Sequence, residues 1–142
     1  MNFEKLLNEK KIERVEKEEP NFESCENDLK AAKDNFQLKN FEWASSIAYN
    51  SVLRAGIKFM AFRGFRAIGK EHHKNMFEFL KETDFDKNLI DYFNKIRVKR
   101  NEFIYRDVST ISKEEADEII IKAEEFVHKI KKIVTNFRRL RI

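Results

Sequence analysis

Apolar residues recur at three- and four-residue steps along most of this chain, the spacing that places them on one face of an α-helix. Ala116, Ile119, Ala123, Phe126, Ile130, Ile133 and Phe137 follow a Ser112-Lys-Glu-Glu115 capping box, which predicts a long final helix. Phe22, Cys25, Leu29, Ala32 and Phe36 predict another that ends near Lys39 and Asn40. Phe41 then opens what reads as the longest helix. Its seam of Ala44, Ala48, Ser51, Ala55, Phe59 and Phe62 is joined by Trp43, Ile47, Ile57 and Met60 on other faces, so it should be central, with Gly69 as its C-cap. A short helix is expected from about His73 to Lys81. A further one should open at Thr83-Asp-Phe-Asp86, where acids would lie in the first turn. Residues 1–19 form a weaker amphipathic stripe that stops at Pro20 and predicts a peripheral helix.

Short connections between helices imply antiparallel neighbours. The expected fold is all-α, an up-and-down antiparallel bundle of four to six helices. Composition supports this: 3 Gly and 1 Pro leave little turn-forming material, and 38% charged residues suit solvated helix faces. With 142 residues, 42% of them hydrophobic and 14 of them Phe, the chain has enough apolar surface for one core, so residues 1–142 are read as a single domain. The lone Cys25 on an apolar stripe reads as a buried thiol and fits a reducing compartment. No apolar run approaches the roughly 20 residues of a membrane span, so a soluble, cytoplasmic protein without membrane contact is expected.

One position breaks the helical pattern. In residues 85–103 the stripe runs Phe85, Leu89, Tyr92 or Phe93, Ile96 and Phe103, and its missing step is Arg100. A guanidinium on a core-facing stripe is costly unless it is paired or lines a cleft. Arg97, Lys99 and Arg106 surround it, together with Asn101 and Tyr105. Three readings of Arg100 follow: an ion pair with Asp107 or Glu71, a phosphate or nucleotide contact, or a salt bridge across a dimer. The net charge of +4 is modest, but cations also gather from Lys129 to Arg141 without an acid among them. Such clusters serve either helix C-termini or phosphate binding.

Motif chemistry is mostly negative. The sequence has no glycine-rich phosphate loop, dinucleotide fingerprint, cysteine pair or His-Glu-x-x-His helix, so no cofactor and no metal site is expected. His72 and His73 are adjacent and would not share a helix face. His73 reads as a cap or loop anchor, or as a supporting site residue. His128 reads as solvated, Tyr105 as a packed aromatic or a phosphate-facing hydroxyl, and Trp43 and Tyr49 as core or dimer-seam residues.

The alanine-rich helix ASSIAYNSVLRA (residues 44–55), the loop GKEHHKNMF (residues 69–77) and the Arg100-Asn101 step before a capped final helix together resemble the HEPN-domain family over residues 22–133. The family motif is an Arg, a polar residue and a His about five positions beyond the Arg; here that position holds Tyr105. The resemblance implies a bundle that forms a homodimer with two motifs facing a basic cleft. It further implies an RNA or nucleotide ligand, or a nucleotidyltransferase protein as partner in a toxin-antitoxin type of complex. By the same resemblance Arg100 would hold the scissile phosphate and Asn101 would orient it, with Lys99, Arg106, Arg97 and His73 as binding residues. Tyrosine, with an ordinary pKa of about 10, is a poor neutral-pH base. That favours a binding module over the alternative, a metal-independent endoribonuclease using Arg100, Asn101 and Tyr105. The dimer is also expected because Trp43, Phe59, Phe62 and Phe65, with the small-residue seam, look like more apolar surface than one subunit can cover.

Overall fold

The computed structural model describes residues 2–106 and 111–140, and the side chains of all of these except residues 101–106. Six helices and one two-stranded ladder follow in the order α1 (Glu4–Asn8), β1 (Ile12–Arg14), α2 (Glu23–Gln37), α3 (Phe41–Arg63), β2 (Phe65–Ala67), α4 (His72–Lys81), α5 (Lys87–Arg106) and α6 (Lys113–Leu140). The fold is a helical bundle, as the periodicity predicts.

Helix α3 packs most extensively against α2 and α6. Its seam allows that close approach, since Ala44, Ala48, Ser51 and Ala55 have no exposed surface. Phe59, Phe62 and Phe65 are also buried within the subunit. These aromatics and the seam are therefore spent on the chain's own core, and of the residues that argued for a dimer only Trp43 stays exposed. At 28 residues α6 exceeds the 23 of α3, which is a correction to the expected ranking. The capping box forms, with the Glu115 N–H donating to Ser112 Oγ at 3.1 Å. Phe126 of α6 receives Phe85 and Phe93 edge-on, at centroid distances of 4.7 and 5.7 Å, and this clamps the start of α5 to α6. Asp86, not Thr83, caps α5: its Oδ1 accepts from the Asn88 and Leu89 N–H groups at 2.9 and 3.3 Å. Its Oδ2 lies 2.8 Å from Lys129 Nζ, and that hydrogen bond is the main reason the Asp86 carboxyl titrates below its ordinary value.

Residues 1–20 do not form the peripheral helix expected of them. Helix α1 stops after five residues, Lys10 turns the chain at φ 59°, and β1 pairs antiparallel with β2, matching Ile12 to Ala67 and Arg14 to Phe65. Ile12 is buried by this pairing, Glu13 bridges Arg66 across the ladder, and Phe3 stacks on Phe79 at 4.4 Å. The irregular stripe was the sum of one short helix and one strand, each with its own period. Gly64, not Gly69, is the C-cap of α3. Its φ of 89° reverses the chain into β2, and its carbonyl accepts the Val15 N–H at 2.9 Å.

Gly56 fixes the approach of α4. A Cβ at this position would overlap Met76 Sδ and lie 2.9 Å from its Cε, and Met76 is wholly buried, so its thioether would have to shift within a packed core. Gly56→Ala is expected to destabilise the fold by about 1–3 kcal/mol in urea unfolding, overpacking outweighing the roughly 1 kcal/mol helix-propensity gain.

Candidate functional site

A groove of about 450 Å³ opens where α2, α3, α4 and α5 meet. Helix α3 supplies Trp43, Ser46, Ile47, Tyr49, Asn50 and Leu53; α2 contributes Asp28, α4 His73, and α5 Arg97 and Arg100. Trp43, Ser46, Asn50 and Leu53 follow helical spacing, so the groove uses the stripe of α3 that its two large neighbours leave uncovered.

Arg100 occupies the step that the apolar stripe of α5 skips. Its Cζ lies 4.9 Å from the centroid of the Tyr49 ring. Tyr49 is itself only 5% exposed, and burial pushes its phenol up to about 12, with Arg100 and Arg97 pulling more weakly the other way. The ring therefore meets Arg100 as a neutral π-face, and the contact is cation–π rather than ionic. Burial lowers the guanidinium's pKa from its ordinary value, yet an arginine stays charged. Among the described residues no carboxylate pairs with Arg100. Glu71 lies instead 3.7 Å from Lys74, and Asp107 falls outside the described residues.

The other groove residues keep the positive charge concentrated. Arg97 Nε donates to Asn94 Oδ1 at 2.9 Å, which orients its guanidinium. Asp28, on the α2 wall, is 3.1 Å from Arg54 Nε and accepts from the Asn50 amide at 3.4 Å, so its charge is already compensated. His73 titrates below its ordinary value, first because it is partly buried, then because His72, Arg97 and Arg100 repel a proton. The anchoring role considered for His73 is filled by His72, whose Nδ1 lies 3.2 Å from the Gly69 carbonyl oxygen.

Of the residues singled out by sequence, Arg97, Arg100 and His73 come together here. Lys99 is exposed and does not line the groove. Asn101, Tyr105 and Arg106 belong to α5, but their side chains lie outside the described residues. Three cations of the second basic cluster are taken up by ion pairs: Lys129 with Asp86 and Glu125, Lys131 with Glu26, and Arg138 with Glu19 at 2.5 Å, while Lys132 and Arg139 are exposed and Arg141 falls outside the described residues. Sequence reasoning missed Tyr49 and Trp43 as groove residues. The polar-and-aromatic stripe 43–46–50 on an otherwise apolar helix was the available signal. His73, which the sequence did single out, is brought to Arg97 by the α4–α5 hairpin, since it lies about as far before the connection as Arg97 lies after it.

The Tyr49 hydroxyl is buried without a hydrogen-bond partner among the described residues. Tyr49→Phe retains the face under Arg100 and removes an unsatisfied donor. Unfolding free energy is expected to stay level or rise by up to about 1 kcal/mol, as urea titration would read.

No curated protein and no solved structure matches this chain. A family model described as HEPN domain does match, over residues 21–133, and that span contains every residue of the groove. On that match, covering most of its length, the chain belongs to the HEPN-domain family.

Proposed function

We propose that the groove is the phosphate-recognition site of a HEPN-type binding module, with RNA or a nucleotide as ligand. The observation that carries this reading is Arg100: a half-buried cation, stacked on a neutral ring, beside Arg97 and with no acid among the described residues to satisfy it. Such a guanidinium is held in place by the stack, with its N–H donors available to a phosphate oxygen. The compensated Asp28 removes the one acid on the groove wall as a competitor. Pairing of two subunits or docking of a nucleotidyltransferase protein, both implied by the family resemblance, would set two such grooves or a second nucleotide site beside this one.

The second reading is metal-independent RNA cleavage, and His73 favours it. The position five residues after Arg100 holds Tyr105, but an imidazole reaches the same groove from α4. Its lowered pKa keeps it neutral at pH 7 and able to accept a proton. Slow cleavage abolished by His73→Gln, with RNA affinity preserved, would establish that reading.

Arg100→Ala is expected to weaken RNA binding by roughly 1–3 kcal/mol in fluorescence anisotropy and to flatten the salt dependence by about one phosphate contact. The fold should lose no more than about 2 kcal/mol, the worth of a cation–π contact on a largely buried ring. Equal affinity of variant and wild type would defeat the proposal.

RNA affinity should also depend on pH. A bound phosphate favours the imidazolium, so binding takes up a proton at His73 and tightens as pH falls, levelling off once the free imidazole, which titrates beneath the ordinary histidine value, is itself protonated. Phosphodiesters do not titrate there. His73→Gln should remove this slope between pH 5 and 7 in the same assay.

A further inference from the structure

The groove ends at Trp43, the one tryptophan of the chain, whose side chain is 66% exposed. Trp43 and Ser46 also line a second depression, of about 590 Å³, with Lys39, Asn40, Phe41, Glu42 and Ile111. The indole therefore stands as a partition. On one side lie Arg97 and Arg100; on the other Lys39 shares the depression with one acid, Glu42, so the cationic anchor is the Arg97–Arg100 side. An apolar ring of this size left in water forgoes a large burial gain, and a flat indole beside guanidinium groups is a surface on which a nucleobase stacks while its phosphate is held.

We propose that Trp43 is a stacking platform for an unpaired nucleobase, and that the ligand of the groove is single-stranded nucleic acid crossing from the Arg97–Arg100 side into the Lys39 depression. This rests on the phosphate-binding reading above and specifies its substrate class. In a duplex the base faces are already stacked on one another and cannot be offered to Trp43. A free nucleotide would occupy one hollow and leave the other unused. A second copy of this chain would set a like groove beside this one, and a cleft shared by two Arg100 residues would still call for a polyanion between them.

A single tryptophan makes the test direct. The full chain would be titrated with a short single-stranded oligoribonucleotide, its duplex, AMP and tripolyphosphate, with intrinsic fluorescence read alongside anisotropy of the labelled strand. The single strand is expected to quench Trp43 saturably, AMP to do so only weakly, and tripolyphosphate to compete without quenching. Trp43→Ala should lower single-strand affinity by roughly 5- to 150-fold, the range for losing one base–aromatic stack, while Trp43→Phe keeps it within a few-fold. Arg100-dependent binding that leaves the fluorescence unchanged and is indifferent to Trp43→Ala would overturn the platform while leaving phosphate recognition intact. Equal quenching by duplex, or saturation by AMP as tight as by the strand, would overturn the single-strand assignment. A blue shift that grows with protein concentration in the absence of RNA would give Trp43 to a second subunit and overturn the proposal. No binding of any oligonucleotide would overturn both this inference and the reading beneath it.

Discussion

Helix α3 is apolar on nearly every face, and covering it is the constraint from which the rest of the fold follows. Its alanine and serine seam accepts α2 and α6 at short distance, Gly56 admits Met76 of α4, and its C-terminal end is wrapped by the β1–β2 ladder. What these neighbours leave open is the stripe from Trp43 to Leu53. The groove is therefore not an addition to the bundle but the uncovered part of its central helix, and α5 is carried past it by the clamp of Phe85 and Phe93 on Phe126.

Charge is arranged on the same logic. Lys129, Lys131 and Arg138 of α6 are matched by carboxylates on α2, on the segments before α2 and α5, and on α6 itself, so these three stitch the bundle together. Exposed pairs of this kind contribute little each. Arg100 differs because its neighbour is a phenol that burial keeps neutral. A modest net charge thus becomes a localised one, and locality, rather than the overall balance, is what a phosphate would sense.

Much of this was legible in the sequence, for identifiable reasons. Helices α2 and α6 were readable because each repeats its apolar spacing over several turns, and Arg100 because it interrupts such a repeat. The ladder was not: three-residue strands are too short to display a period, and β1 finds its partner some fifty positions away. Gly64 and Gly69 both offered a left-handed turn, and only the strand pairing decides which one ends α3. His73 reaches the site through tertiary packing, so a search for a histidine at fixed spacing from Arg100 looks in the wrong element. Trp43 read as a core or dimer-seam residue because large aromatics are usually covered; its helix is buried, but its own position on the first turn faces out, so it is not core within the subunit.

The ladder between β1 and β2 also sets an order of events. A chain emerging N-terminus first makes Ile12–Arg14 long before Phe65–Ala67 exists, and no nearer strand can take its place among the described residues. Until α3 is complete and Gly64 has turned, the leading segment keeps an unpaired edge and an unburied Ile12. The α2–α3 hairpin can close locally once α3 is made, the ladder waits for residues 65–67, and α6, at residues 113–140, reaches α3 only after both. Residues 12–14 thus work as a clasp on the end of α3, free to fasten once the α2–α3 hairpin has formed and before α6 completes the bundle.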